Sequence, residues 1–145
     1  MIGTAGLGNM RCLIGERLNV VEGAGMTRGL IETDCLFCKI VTGEVPATIV
    51  RDSERTLAFR DINPQAPTHV LVIPKDHHPT ASALAASDAD LLAEVLLEAH
   101  GVAAAEGVAE TGYRVVFNTG PQAGQTVFHV HAHVLGGRAL EWPPG

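Results

Sequence analysis

The chain has 145 residues, a length that suits one domain, and 46% of them are hydrophobic, enough to build a core. A formal net charge of −6 argues against a broad basic surface for nucleic acid, while leaving room for a small anion met by local donors. No apolar run approaches the roughly 20 residues that span a bilayer, and three cysteines do not make a disulfide scaffold, so a soluble cytoplasmic protein with no nucleic-acid or membrane partner is expected.

Residues 1–33 hold Gly, Thr and scattered charge without a sustained period. They read as a disordered extension ahead of a single domain at 34–145. The apolar patches at Cys12 to Ile14 and Val20-Val21 are too short for a signal-peptide core. A short helix around Leu13 to Val21 is the alternative, and Met26 is a candidate true start.

From Asp34 the patterns sharpen. Leu36 to Val41 predicts a short helix or turn closed by Gly43. Thr48 to Arg51 and Thr56 to Arg60 predict strands parted by Asp52-Ser53-Glu54, and the two prolines of Asp61 to Pro67 predict a loop. His69 to Ile73, β-branched and apolar, predicts a buried strand ended by Pro74-Lys75-Asp76. Ser87, with Asp90 three residues on, reads as a helix N-cap. Leu92, Val95, Leu96, Ala99, Val102 and Ala103 then follow helical spacing, so one face of a long helix packs on the sheet. Gly107 or Gly112 ends it, Tyr113 to Asn118 predicts a strand, Thr119 to Gly124 a Gly/Pro loop, and Val127 to Leu135 a last strand. Strands, one long helix, then two strands favour α+β with a mostly antiparallel sheet.

That last segment carries the chemistry. His129, His131 and His133 alternate with apolar residues. In a strand their imidazoles would point to one face, about 7 Å from one to the next. Burying three unpaired imidazoles costs free energy, which leaves a metal site or metal-free nucleophilic chemistry as the open readings. The preceding loop, Asn118 to Thr126, offers backbone N–H groups, an amide and a hydroxyl, and its glycines allow close approach to an oxyanion. Alone it is an ordinary loop; beside a histidine row it reads as a phosphate pocket. Cys35-Leu36-Phe37-Cys38 is a second constellation, open between two small buried residues, a redox pair, and half of a zinc site completed by His77 or His78 and one triad histidine.

The His-φ-His-φ-His-φ-φ run at His129 to Leu135 resembles the signature of the histidine triad superfamily. Phe37 to Ile40, Gly43 to Ala47, Leu57 to His69, Leu71 to Lys75, Gly112 to Arg114, Gly124 to Val127, Gly136 to Arg138 and the ending Trp142-Pro143-Pro144-Gly145 are similar to its nucleotide-binding, purine nucleoside phosphoramidase branch. The resemblance spans residues 34–145. It implies a five-stranded antiparallel sheet with one long helix and a short N-terminal one, dimerising into a ten-stranded sheet. It implies that His131 attacks the α-phosphorus of a purine nucleoside 5′-phosphoramidate to give a nucleotidyl-histidine, with His133 at the phosphate and leaving group and His69 as a further pocket histidine. Asn118, Gln125 and Thr126 would donate to phosphate, and Asp61 would accept from the ribose. Leu36, Phe37, Ile40, Phe59 and Ile62 would line the base slot, and Trp142 would reach toward a partner subunit. It also implies a structural zinc on Cys35, Cys38, His77 and His129, with His78 the alternative to His77, and no cofactor needed for the chemistry. A dinucleoside polyphosphate hydrolase, a nucleotide-binding adaptor with vestigial activity, and a metallohydrolase are the competing functions.

Overall fold

The computed structural model describes residues 30–145; the expectations for Leu13 to Val21 and Met26 lie outside the described residues. A short helix α1 (Leu36–Val41) is followed by β1 (Ile49–Asp52), β2 (Thr56–Arg60) and β3 (Thr68–Pro74). Then come α2 (Ala81–Ser87), α3 (Ala89–Ala105), β4 (Tyr113–Val116) and β5 (Ala132–Gly136). The five strands form one antiparallel sheet in the order β1-β2-β3-β5-β4, which is the α+β architecture expected.

Strand alternation splits the core in two. Ala58, Val70, Val72, Ala132 and Val134 face α2 and α3, where Leu84, Leu91, Val95, Ala99 and Val102 bury themselves against them. Leu57, Phe59, Leu71 and Ile73 point to the other side, where α1 lays Phe37 on them. Central β3 is covered on both faces, so all seven of its residues are buried. Its polar residues, Thr68 and His69, precede the apolar run, and His69 lies on the α1 side with Leu71 and Ile73.

Three boundaries differ from expectation for local reasons. A further helix, α2, precedes the long one where none was expected, and the cap of the long one is Asp88 rather than Ser87. Asp88 accepts from the Leu91 N–H, while Ser87 ends α2 with its hydroxyl donating to Ala83 and Leu84 carbonyls. Thr80 caps α2 by accepting from the Ala83 N–H. Strand β4 stops at Val116, two residues early.

The third difference is in the histidine segment. Strand β5 begins only at Ala132, so His129 and His131 precede it. Pairing with β3 and β4 ends there, and the Val130 N–H goes instead to the carbonyl of His78. The alternation nevertheless persists: Val130 enters the α3-side core, so the flanking histidines turn to the α1 side. Beyond β5, Gly137 takes φ +86° where a Cβ would sit 2.9 Å from Pro67.

Leu84 on the unforeseen helix α2 is fully buried. Leu84→Ala should lower unfolding free energy by about 2–5 kcal/mol in a denaturant titration, the cost of a cavity where the α2 side chain fills the core.

Candidate active site and metal centre

Two histidine clusters stand side by side on the α1 face, and their hydrogen bonds set them apart. In the first, Cys35 and Cys38 of the α1 turn meet His77 from the β3–α2 turn and His129, all four donor atoms lying within 4.8 Å of one another. The sulfur–nitrogen separations are 3.5 Å for Cys35–His129, 3.5 Å for Cys38–His77 and 3.6 Å for Cys38–His129, each to Nδ1. Zinc bonds of ≈2.3 Å to sulfur and ≈2.0–2.1 Å to nitrogen give a tetrahedral S···N edge of about 3.5–3.6 Å. The surroundings also suit a metal. His129 is fully buried, and its Nε2–H donates to the Pro74 carbonyl at 2.8 Å, leaving the Nδ1 lone pair toward the sulfurs. Cys38 accepts from the Glu32 N–H at 3.4 Å, Cys35 accepts from the Cys38 N–H at 3.5 Å, and Glu32 stands 3.9 Å from His77 Nε2. Both cysteines are free thiols. The donor set fits a closed tetrahedral ion. His78 turns away, bonding the Ser87 hydroxyl.

The second cluster, Asp61, His69 and His133, does not suit a metal equally well. The Gln65 N–H donates to His69 Nδ1 at 3.0 Å, which assigns the proton of neutral His69 to Nε2. That Nε2–H then donates to His133 Nδ1 at 2.8 Å, with Asp61 Oδ2 3.4 Å away. A metal on His69 Nε2 would displace this proton and set two N–H groups against each other at Gln65. The cluster is instead a directed chain that leaves His133 with a free Nε2–H.

His131 lies between the clusters, its ring centre 4.9 Å from that of His133 rather than the 7 Å of an extended strand. Its Nδ1–H donates to the main-chain carbonyl of His129 at 2.8 Å, which leaves Nε2 unprotonated and able to attack. Phe37 meets both His129 and His131 edge-on, at 5.9 and 5.1 Å. Burial is the main reason that His129 and His133 are pushed down to about 4, and that His131 and His69 also sit below the usual imidazole range. All four are neutral at pH 7. Burial also raises the Cys38 thiol in the metal-free protein.

His131 and His133 open into a cavity of about 430 Å³. Leu36, Phe37, Ile40, Phe59 and Ile62 line it, Ile62 fully exposed at the rim. Asp61 and Thr126 line it too. Gln125 is placed differently: it is buried, its amide N–H groups donate to Pro79 and Val127 carbonyls, and its oxygen accepts from the Gly120 N–H. It braces the loop and has no N–H left for a phosphate. Asn118 stands beside Gly124 with its amide nitrogen 3.9 Å from where a Cβ would be. Trp142 is exposed and far from burial in its own chain. Sequence reasoning missed Glu32, Pro74 and Gln65. All three act through backbone groups, which no side-chain pattern reveals, and Glu32 also fell in the segment read as an extension.

The model of the HIT domain matches residues 42–140. A crystal structure of a HIT family hydrolase from Legionella pneumophila is 54% identical, covers 77% of this chain and 100% of that one, and superposes with a TM-score of 0.75. The 14 kDa zinc-binding protein of Zea mays is 48% identical over 120 residues, 81% of this chain and 93% of the relative. Adenylylsulfatase HINT1 of Arabidopsis thaliana is 44% identical over 116 residues, 79% of this chain and 78% of the relative.

The lowered histidines give stability a pH dependence. A folded His129 near 4 against an ordinary 6.5 binds fewer protons than the unfolded chain between those values, so stability is whole above about 6.5 and lost as pH falls toward 4. Thermal unfolding midpoints should therefore hold steady from pH 8 to 7 and drop progressively from pH 6.5 to 4.

Proposed function

Because the chain belongs to the HIT domain family, we propose that it hydrolyses the P–N bond of purine nucleoside 5′-phosphoramidates through a nucleotide held on His131. The observation that carries this reading is the His131 Nδ1–H donated to the His129 carbonyl, which turns an unprotonated Nε2 toward a nucleotide-sized apolar slot.

The purine would lie between Leu36, Phe37, Ile40, Phe59 and Ile62, with the ribose hydroxyls donating to Asp61. Thr126 and the Gly124 turn flank the place of the α-phosphate, where donors count most as charge develops. Attack by His131 Nε2 forms the N–P bond and makes the imidazole cationic, which strengthens its bond to the His129 carbonyl. The arriving anionic phosphate favours protonation of the His69–His133 pair, and His133 gives its Nε2 proton to the departing amine. Water then attacks phosphorus, its proton returns to His133, and the nucleoside monophosphate leaves. The name of the Arabidopsis relative, adenylylsulfatase, favours a second substrate, an adenylyl sulfate, for which the same nucleotidyl-His131 would form with a leaving group that needs no proton.

The Cys35, Cys38, His77 and His129 set would hold a zinc ion whose fourth position is filled by protein, a structural role that leaves the chemistry to His131. A second copy would pair along β4, one of the two edges of the sheet.

His131→Ala should lower kcat on adenosine 5′-phosphoramidate by about 10³-fold or more while AMP still binds within a few-fold of wild type. Equal turnover in both proteins would overturn the nucleophile, and faster turnover of diadenosine polyphosphates than of phosphoramidates would overturn the substrate class. Cys35→Ala should lose zinc by elemental analysis and melt at lower temperature while keeping residual activity; wild-type protein purified without chelator and free of zinc would overturn the metal site.

A further inference from the structure

One wall of the base slot and the nucleophile stand on parts of the chain that the sheet does not fix directly. Leu36, Phe37 and Ile40 sit on α1, a helix of six residues. His131 sits on the stretch before β5, outside strand pairing. The same few residues join both parts. Cys35 caps α1 and Cys38 lies within it, so the two sulfurs bracket Leu36 and Phe37. Their partner His129 holds the nucleophile's Nδ1–H through its main-chain carbonyl. Phe37 packs its ring edge-on to both His129 and His131.

We propose that the Cys35/Cys38/His77/His129 centre is the joint that registers the purine slot to the nucleophile, so that metal occupancy and nucleotide binding are thermodynamically coupled. His129 is then a positioning residue: its ring answers to the metal and its carbonyl to His131. With the four donors drawn to one ion, the α1 turn and the 129–131 backbone are held together, with the Nδ1–H tautomer of His131 fixed. Without the ion, two thiols and two neutral imidazoles keep only weak mutual hydrogen bonds, and α1 retains the apolar packing of Phe37, Ile40 and Val41. The inference rests on the nucleotide reading above, yet it fails separately from it.

Linkage makes the coupling reciprocal: if zinc tightens AMP by some factor, AMP tightens zinc by the same factor. The test measures AMP affinity by calorimetry on zinc-loaded and chelator-stripped protein, and zinc affinity by chelator competition with and without saturating AMP. The expected result is a matching change of at least about five-fold in both arms. Equal affinities in all arms overturn the coupling while leaving the nucleotide site standing; AMP binding to neither form overturns both. Should the stripped protein unfold, Cys35→Ser at saturating zinc carries the test, since Cys35 is not among the slot's walls. Imidazole ¹⁵N shifts of His131 supply the readout that a merely stabilising metal would not move. Wild-type holoprotein should show the Nδ1–H tautomer alone, and Cys35→Ser a mixture of tautomers with weakened AMP binding. An unchanged tautomer with unchanged AMP affinity in a folded Cys35→Ser protein overturns the proposal.

Discussion

The fully buried ring of His129 is the constraint around which the candidate site is arranged. A neutral imidazole in that position must satisfy two nitrogens, and it does so in opposite directions: Nε2–H to the carbonyl of Pro74 at the end of β3, Nδ1 to the sulfurs of α1. Its backbone is committed as well, since its carbonyl takes the proton of His131. One residue thus touches the sheet, the short helix and the proposed nucleophile. Each of these bonds is modest taken singly, but breaking one leaves a buried polar atom unsatisfied, and among the described residues no buried side-chain nitrogen or oxygen lacks a partner.

The three alternating histidines are alike in sequence and differ in structure because their partners differ. His129 meets sulfur, His131 meets a carbonyl, and His133 meets another imidazole. The partner in each case names the nitrogen that keeps the proton, and so decides whether the ring faces its ligand as a lone pair or as a donor. Neutrality is shared by all, and burial is its cause. An acidic protein can in this way offer the proposed phosphate site: neutral N–H donors would hold an anion without competing for the lone pair proposed to attack.

Much of this was legible in the residues. The alternation of His129 to Val134 placed the histidines on one face, and the family resemblance named Cys35, Cys38, His77 and His129, four side chains that the structure brings together. The apolar runs gave the central strands. The start of β5 was not legible, because Val127 to Leu135 keeps a strand's alternation through residues whose backbone bonds elsewhere; a side-chain pattern cannot say where the Val130 N–H goes. The same limit hid Pro74 and Gln65, which act by main-chain atoms. The cap of α3 was placed one residue early because Ser87 and Asp88 are adjacent residues of equal capping tendency, and only the Leu91 N–H separates them. Gln125 was misread because a buried amide in a Gly-rich loop serves equally as ligand donor or as brace until its partners are seen.

The contrast between the two histidine clusters shows why composition alone does not name a metal site. Asp61, His69 and His133 are as good a donor set on paper as Cys35, Cys38, His77 and His129, and both gather within the same distance. The difference lies one bond further out. The Pro74 carbonyl takes a proton from His129 and frees its lone pair for the cluster; the Gln65 N–H takes a lone pair from His69 and puts a proton into the cluster. An acceptor behind a histidine prepares it for a cation, and a donor behind it prepares it to pass a proton or to greet an anion. The backbone of β3 and of the loop before it therefore decides which cluster presents lone pairs and which presents a proton.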